Sequence, residues 1–448
     1  MSGQARGWRA RGWRPSVAAA RGVSLLLTLI ATIVLAGCSA SGGSSGIDFT
    51  LGLQGSTADN PAQPPKIAAN GPNGEYAFVY DNQVWAHTQG ASAAVQVTHL
   101  TLSNGSTIIW GPLIWSPSGK SLAFSLVQNA SPNQASSSAG PLYYVNLSSC
   151  LTTSGATCPV YPTQLTGSVY GHGYDWLNDD WLISGSGGGI SAFDISDPNG
   201  WRVWQLRTTA TESQDGNCGQ PRSYGDVEVV GTTLYYTCMN LTNLGSTGAI
   251  GTASLNAASL SSIVNDFGAD QSTRDEQIAT LLNGDGLSGY QITSLGNVYL
   301  GATSMVAGAW QVNNSTLVYE RVGAIDTQHS TAARVICATT VYSGGCGSTS
   351  LPKIPAQPLT VRPTISLGSG SAIAYQGDAL YLSGQNSSVA VTSPYAPVWL
   401  SGGAVAATNV VSTTTDASGV TRVTANLVIA QNGAPTTLIA GASDMAAR

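Results

Sequence analysis

Short segments in which apolar and polar side chains alternate recur along most of the chain. They include AFVYDNQVWAH, LYYVNL, TTLYYTC, STLVYER, ALYLSG and TANLVIA, which are rich in β-branched and aromatic residues. Each is bounded by Gly, Asn, Asp or Ser, and this pattern is typical of half-buried β-strands. A helical pattern occurs only near 272–283. Many short strands with few helices predict an all-β sandwich, barrel or propeller.

A hairpin-like unit repeats within this pattern. WSPSGKSLAFS (115–125) aligns without gaps with WQVNNSTLVYE (310–320) and VEVVGTTLYYT (227–237), and looser copies begin at residues 72, 176, 375 and 399. The alignment matches Trp310 with Trp115, and Gly231 with Gly119. A single hairpin of this kind cannot bury its apolar face, so we expect the copies to stack on one another.

The turn in WSPSGK has the residues that a tight β-turn requires. Pro117 presets φ at the second position, and Gly119 tolerates a positive φ at the fourth. In the strand that follows, Leu122 and Phe124 lie two residues apart and therefore share one face. The sequence thus predicts a turn at 116–119 followed by a strand with one buried face.

PLIWSPSGKSLAFS resembles the repeat of TolB-like β-propellers, in which a Trp-Ser-Pro-Asp-Gly-Lys turn links the two inner strands of a blade. Ser118 stands where that family has Asp. VQVTHL (95–100) and PTQLTG (162–167) resemble the strand that ends such a blade. The resemblance implies an all-β propeller of about seven blades over 67–440, with six or eight left open, followed by a tail at 441–448.

The spacing of the copies is irregular, so the segments 129–140 and 240–285 are expected to be insertions. The copies that begin at 375 and 399 are too close together for a complete four-stranded blade. That part of the sequence is compatible with six, seven or eight blades.

The first forty residues have the layout of a secretory signal. Five arginines precede an uncharged apolar run from Val23 to Gly37, which is shorter than the ~20 residues that span a bilayer as a helix. Leu35-Ala36-Gly37-Cys38 resembles the bacterial lipobox. That resemblance implies a lipoprotein signal peptide over 1–37, cleavage before Cys38 and acylation of its thiol. An uncleaved anchor and an ordinary signal peptide are the alternatives.

Residues 38–66 are predicted to be a linker, because they are rich in Gly and Ser and then in Pro. Two or more acyl chains on Cys38 would hold the protein stably on a membrane. We therefore expect a lipid-anchored protein on the extracytoplasmic side of the cell membrane, or at the outer membrane if the cell has one.

Six of the seven cysteines remain once Cys38 is set aside, an even number that suggests disulfides in an oxidising compartment. Six cysteines allow 15 pairings. Proximity along the chain favours three short loops, which are Cys150–Cys158, Cys218–Cys238 and Cys337–Cys346. A zinc site is disfavoured because there is no C-x-x-C motif and the four histidines are scattered.

Charge and composition narrow the classes of partner. Only 9% of the residues are charged and the net charge is −6, while the 42% of hydrophobic residues can build a core. Basic residues gather only at the N-terminus, so nucleic acid is not an expected partner.

The segment VYGHGYDWLNDDW (169–181) holds the strongest candidates for ligand contact. Aromatic and polar side chains that suit ligands such as sugars gather there, namely Tyr170, His172, Tyr174, Asp175 and Trp176. The carboxylates of Asp175, Asp179 and Asp180 also raise the possibility of glycoside hydrolysis. The alternative is that the segment is an inner strand with a turn at 178–180, as in the other copies.

Two further motifs are weak. G-x-S-x-G at 42–46 falls in the linker rather than between a strand and a helix, and DISDPNG (194–200) lacks the spacing of an EF-hand and forms a strong turn signal. We expect no metal, no cofactor and no catalytic residue.

TolB-like propellers generally act as interaction platforms, and the resemblance implies the same here. We expect a non-catalytic binding or scaffold protein of the cell envelope, whose propeller face contacts an envelope protein or a glycan. Two alternatives are a carbohydrate-binding or carbohydrate-active propeller and a structural or adhesive surface lipoprotein. The second follows from the low charge and the abundance of Ser, Thr and Gly.

Overall fold

A computed structural model of the chain describes residues in the compact unit Leu51–Arg448. The described ranges are 64–100 without 70 and 73, 107–128 without 110, 140–167 without 149 and 152–157, 173–195 without 187–188, 203–208, 222–240, 250–259, 291–295, 309–358 without 314, 327 and 342–345, and 361–448 without 362, 392–393, 401, 416–420 and 432–433. Several predictions fall outside these ranges: the signal peptide, Cys38, most of the linker, the helical pattern at 272–283, Cys218, Tyr170 and His172.

The described strands form seven antiparallel sheets, nearly all built from strands that follow one another along the chain. Sheet 1 contains β1 (Tyr76–Tyr80), β2 (Gln83–His87), β3 (Val95–Gln96) and β28 (Ala442–Ala447); sheet 2 contains β4 (Thr107–Ile109), β5 (Ile114–Trp115), β6 (Ser121–Gln128), β7 (Gly140–Asn146) and β8 (Val160–Gly167); sheet 3 contains β9 (Tyr174–Trp176), β10 (Trp181–Ser186), β11 (Gly189–Asp194) and β12 (Val203–Thr208).

The remaining four sheets follow the same plan. Sheet 4 contains β13 (Arg222–Val230), β14 (Thr233–Asn240), β15 (Ile250–Ser259) and β16 (Gln291–Leu295); sheet 5 contains β17 (Trp310–Asn313), β18 (Thr316–Asp326), β19 (Thr331–Thr340) and β20 (Gln357–Pro358); sheet 6 contains β21 (Thr364–Leu367), β22 (Ile373–Gln376) and β23 (Leu380–Leu382); sheet 7 contains β24 (Pro394–Trp399), β25 (Val405–Thr415), β26 (Thr421–Gln431) and β27 (Ala434–Ala440). The described regular structure is otherwise limited to a 3₁₀ turn at Ser369–Ser371. The all-β prediction is confirmed for these residues.

Sheet 1 joins two distant parts of the chain. Its strand order is β28-β1-β2-β3, so the segment at 442–447 pairs antiparallel with β1, with Tyr76 opposite Ala447. The prediction of a tail at 441–448 is therefore wrong. ASDMAA pairs as a strand because β1 offers it an open edge, although its small side chains give little periodic signal. The copy at 72–80 accordingly takes its first strand from β28.

The WSPSGK turn forms as predicted. The Gly119 N–H donates to the Ser116 carbonyl at 2.8 Å, and Gly119 has a φ of +75°. Trp115 lies opposite Leu122 across the hairpin. The equivalent turn in sheet 4 has Gly231 at φ +62°, as its alignment with Gly119 predicts.

The alignment of Trp310 with Trp115 is wrong as a structural match. Trp310 lies opposite Tyr319, whereas Trp115 lies opposite Leu122, and Val312 lies opposite Leu317 in the Trp115 position. The turn between β17 and β18 is two residues shorter than the turn between β5 and β6, because Asn313 already pairs with Thr316. An alignment without gaps hides this difference.

Successive residues of each second strand pack against opposite neighbours. Leu122 and Phe124 of β6 are fully buried in a cluster with Ala77 of sheet 1, as their shared face predicts. Ala123, between them, packs with Trp176 of sheet 3. The two faces of sheet 2 are thus covered by the sheets before and after it.

This packing continues from sheet to sheet and closes on itself. Tyr235 of sheet 4 clusters with Trp310 of sheet 5, and strands of sheets 3 and 4 also contact each other. Val318 of sheet 5 clusters with residues of sheet 6, sheet 6 with sheet 7, and sheet 7 with Phe78 of sheet 1. Each sheet therefore packs between two others, which is a propeller-like arrangement.

Sheet 6 explains the short spacing between the copies at 375 and 399. Its described strands number three rather than four, and among the described residues that follow β23, Val389 forms an isolated bridge with Leu380. VQVTHL and PTQLTG lie at the last strands β3 and β8 of their sheets, in agreement with the prediction.

Two of the three predicted disulfides lie in the described residues. Cys150–Cys158 closes the connection between β7 and β8, and Cys337–Cys346 closes the connection after β19. Both clip the link between the third and fourth strands of a sheet. The third predicted pair involves Cys218, which lies outside the described residues.

The packing of Phe124 gives a direct test of the sheet 1–sheet 2 contact. Phe124→Ala should lower the free energy of unfolding by about 3–5 kcal/mol, because it leaves a cavity in a fully buried cluster. Val95→Ala, at a side chain that is 41% exposed, should stay within about 0.5 kcal/mol of the wild type. Urea unfolding measures both, and equal effects would contradict this packing.

Candidate functional site

The first strands of the sheets form the innermost layer. β9 contacts β13, β13 contacts β17, and β17 contacts β21, which contacts β24 in turn. Each first strand therefore lies beside the first strand of the next sheet, and the later strands of each sheet lie farther from this line of contacts. A ligand that enters between the sheets from their inner side meets the first strands before any others.

Polar side chains on three of these strands bond the backbone of the following sheet. Asp175 Oδ2 accepts from the Val229 N–H at 2.7 Å, and Glu228 Oε2 accepts from the Val312 N–H at 2.9 Å. Gln311 Oε1 accepts from the Leu367 N–H at 2.6 Å. These three residues pair with Ile183, Tyr235 and Val318 in register, so they occupy the same place in their sheets.

Tryptophans on first strands bond in the opposite direction, and one of them, Trp176, lies on the same strand as Asp175. Trp115 Nε1 donates to the Ala446 carbonyl at 3.3 Å, and Trp176 Nε1 donates to the Ile114 carbonyl at 2.9 Å. In the same way, Trp399 Nε1 donates to the Ser366 carbonyl at 3.0 Å. In each case the acceptor lies on the first strand of the preceding sheet. Side-chain acceptors bond the backbone of the following sheet, and indole N–H groups bond the backbone of the preceding sheet. Together they connect neighbouring first strands.

Asp444 on β28 joins three sheets. Its backbone N–H donates to Thr408 Oγ1 of sheet 7 at 2.9 Å, and its carboxylate accepts from Ser443 Oγ at 2.8 Å. The Gly111 N–H, just before β5, also donates to this carboxylate. Tyr174 of sheet 3 lies close enough for the Asp444 charge to act on it, and its hydroxyl donates to the Pro112 carbonyl.

Burial dominates the electrostatics of these carboxyl groups. It raises the pKa of Asp175 to about 6 against the opposing effect of the Val229 and Trp176 N–H bonds. It raises the pKa of Asp444 to about 7, and raises that of Glu228 well above its ordinary value, with a further contribution from the Asp175 charge. Removing a carboxylate from water disfavours its charged form, and the backbone donors offset only part of that cost.

Asp179, in the turn that follows β9, connects this turn to the turn at 116–119. Its Oδ1 accepts from the Ser118 N–H at 2.9 Å, while Arg448 Nη2 donates to the Ser118 carbonyl at 2.5 Å. Burial opposes ionisation of Asp179, but the bonds from Ser118 and Ser116 and the Lys120 charge outweigh it and lower its pKa. The adjacent Asp180 is exposed.

The segment 174–181 therefore contains an inner strand and a turn, which is the alternative to a ligand site that the sequence leaves open. Tyr174 and Trp176 are buried, and the described hydrogen bonds of Tyr174, Asp175 and Trp176 all go to backbone groups, including those of neighbouring sheets. Ligand contact by these three residues stays a prediction, as it does for Tyr170 and His172 outside the described residues.

The sequence did not point to Glu228, Gln311 or Asp444. Glu228 and Gln311 both stand second in their repeat copies, VEVVG and WQVNN, and this shared position was the available signal. Asp444 lies in the segment 441–448, which the sequence predicts to be a tail. Within the described residues no group of three or more His, Cys, Asp or Glu side chains is placed to hold a metal ion.

No protein-family model matches the chain, and no curated protein sequence matches it significantly. Three solved structures with distant likeness are a chain of the nidogen–laminin complex, regucalcin from Agrobacterium tumefaciens and apo AztD from Citrobacter koseri. Their identities are 9%, 10% and 11%, their TM-scores 0.32, 0.31 and 0.33. The matches cover 68%, 66% and 84% of this chain and 87%, 81% and 83% of the other chains. Likeness at this level assigns neither a family nor a function. Among the described residues, no helix combines the length and the apolar character needed to cross a membrane.

Asp175 makes the stability dependent on pH in a defined direction. Because its pKa is raised to about 6 from 3.8, the folded protein keeps a proton that the unfolded chain has already released. The stabilisation from this group is fully present below the unfolded pKa and is lost as the pH rises through the folded pKa. Asp175→Asn carries no titratable carboxyl group, so its free energy of unfolding relative to the wild type should rise by about 2 kcal/mol between about pH 4.5 and about pH 7.5.

Thermal or urea unfolding of both proteins at the two pH values measures this difference. The part of the substitution's cost that does not depend on protonation is the same at both pH values and cancels, while the preference of the backbone N–H groups for the charged carboxylate is already included in the shifted pKa. Asp180→Asn, at an exposed carboxyl in the following turn, is the matched control and should show little change with pH relative to the wild type. A difference between Asp175→Asn and the wild type that does not vary with pH would contradict the raised pKa.

Proposed function

We propose that the chain is a seven-bladed, TolB-like β-propeller lipoprotein that acts as a non-catalytic binding or scaffold protein of the cell envelope. The seven described sheets support the blade count, because they contact one another in a closed cycle and the last strand completes the first sheet. The signal peptide, the acylated Cys38 and the linker rest on the sequence pattern. These sequence features support a location on the extracytoplasmic side of the membrane.

The observation that carries a non-catalytic role is the use made of the inner carboxylates. Asp175, Glu228 and Asp444 each accept a backbone N–H from another sheet. A general acid or base must reach the substrate, whereas Glu228 and Asp444 are buried, Asp175 is partly buried, and all three hold neighbouring strands together. This supports a rigid scaffold whose partner, an envelope protein or a glycan, binds on surface loops that the sheets position.

The disulfides support the location. Cys150–Cys158 and Cys337–Cys346 belong to a class of bond that persists in oxidising compartments outside the cytoplasm. A scaffold with two disulfide-bonded connections suits a protein that is anchored to a membrane surface and exposed to the surrounding medium.

Cys38→Ser tests the anchor. The variant should lose N-terminal processing and move from the membrane fraction to the soluble fraction or remain as precursor, because the thiol that carries the acyl chains is gone. Ser45→Ala in the same linker should leave both properties unchanged. Fractionation and intact mass measure the outcome, and unchanged membrane association and processing in Cys38→Ser would rule out the lipobox interpretation.

Proximity labelling in the native cell, followed by mass spectrometry, tests the scaffold function. A tethered binding protein should enrich a reproducible envelope partner, and a variant with Phe124→Ala should enrich it less because its sheets pack poorly. Turnover of a polysaccharide by the purified protein would instead favour a carbohydrate-active propeller.

A further inference from the structure

The strand β28 is connected to one sheet and paired with another. The chain reaches it from β27 of sheet 7 through Gly441, yet β28 pairs with β1 of sheet 1. In that pairing Ala77 lies opposite Ala446, and Val79 lies opposite Ser443, so β28 has one residue more than β1 over this stretch. An extra residue of this kind is a β-bulge, which changes the direction of nearby side chains.

Asp444 lies in this bulge and is strained. Its φ of +47° is in the left-handed region, which is unfavourable for a residue other than Gly. Asp444 is also only 1% exposed, although a carboxylic acid is rarely so deeply buried without a charged partner. The closed arrangement of β28 therefore holds this residue in an unfavourable backbone conformation and away from water.

The groups around the Asp444 carboxyl are polar. Sheet 1 supplies the Ser443 hydroxyl at 2.8 Å, sheet 2 supplies the Gly111 N–H, and the Thr408 hydroxyl of sheet 7 bonds the Asp444 N–H. Sheet 3 supplies Tyr174, whose pKa is raised well above its ordinary value by burial and by the Asp444 charge, so its hydroxyl stays neutral. Among the described residues, no charged group shifts the pKa of Asp444.

The proton on Asp444 therefore stabilises the closed arrangement. Burial raises the pKa of Asp444 from 3.8 to about 7, against the opposing bonds from Ser443 and Gly111. If β28 leaves β1, the carboxyl group returns to water and to its ordinary pKa. The stabilisation is fully present below that ordinary value and is lost as the pH rises through about 7.

The other contacts of β28 are modest by comparison. Its sequence is ASDMAA, in which Met445 is the one large apolar side chain, and alanine buries little apolar area. The ion pair between Glu75 and Arg448 is 41% exposed on both sides, so water weakens it. A pKa shift of about three units changes an equilibrium by up to about a thousandfold, which is large for so small a strand.

We propose that β28 is a pH-sensitive closing strand, which stays paired with β1 while Asp444 is protonated and detaches from it when Asp444 ionises. The proton passes to the solvent, and the carboxylate is hydrated once the strand has left. Detachment uncovers the edge of β1 and the cluster that contains Phe78 and Met445. This inference does not depend on the proposed binding function.

Hydrogen exchange of the purified full chain, read by mass spectrometry at about pH 5.5 and about pH 8.5, tests the inference. Protection factors, which correct for the intrinsic effect of pH on exchange, should fall about thirtyfold at 442–447 and at the paired residues of β1 in the wild type. At the higher pH these segments should exchange at least about tenfold faster than β18 of sheet 5, because they open without unfolding of the whole protein.

Asp444→Asn preserves the size of the side chain and removes its titration. Its protection factor at 442–447 should therefore change by less than about twofold between the two pH values. Asp180→Asn, at an exposed carboxyl in the turn of sheet 3, is the matched control. It should retain the fall of about thirtyfold that is expected of the wild type.

Three results would overturn the proposal. They are a wild-type protection factor at 442–447 that does not fall with pH, an equal fall in Asp444→Asn, and equal protection of 442–447 and β18 at the higher pH. If Asp444→Asn does not fold, the wild-type profile decides. A fall that levels off above about pH 7 supports the closing strand, whereas a continued fall between about pH 8 and about pH 9 contradicts it.

Discussion

The pairing of β28 with β1 is the contact on which the rest of the arrangement depends. Each of the other described sheets is made from strands close together in sequence, so its pairing is local. Sheet 1 alone draws strands from 76–96 and 442–447, and through it sheets 7 and 2 gain a common neighbour. Asp444 and Ala446 of β28 also bond groups of adjacent sheets. The pairing of β28 with β1 thus helps to join the first and last sheets, so that the sheets form a closed cycle.

The inner strands are held by hydrogen bonds as well as by apolar packing. Apolar contact favours close approach but fixes register weakly, whereas a buried N–H that needs an acceptor fixes it strongly. Asp175, Glu228 and Gln311 each supply such an acceptor to the next sheet. The cost is a set of carboxyl groups held away from water, which explains their raised pKa values. The carboxyl groups with the raised pKa values are thus also groups that position the sheets relative to one another.

Local features were the ones that the sequence predicted well. The turn at Gly119 and the buried pair Leu122 and Phe124 depend on residues within a few positions of each other, and both formed as expected. The role of Asp175 was not predictable, because its acceptor function depends on a backbone N–H that is 54 residues away in sequence. A side chain beside aromatic residues gives the same pattern whether it meets a ligand or a neighbouring strand. Backbone partners leave no trace in residue identity.

The separation of the two halves of sheet 1 has a consequence for how the protein is made. Glu75 and Arg448, which form an ion pair beside this sheet, are 373 residues apart. A contact of that span adds to the topological cost of folding, and it cannot form until the last strand has been synthesised. Until residues 442–447 have been made, the edge of β1 that pairs with β28 has no partner strand in sheet 1. Sheet 1 is therefore completed late, after the strands of the other described sheets are already present in the chain.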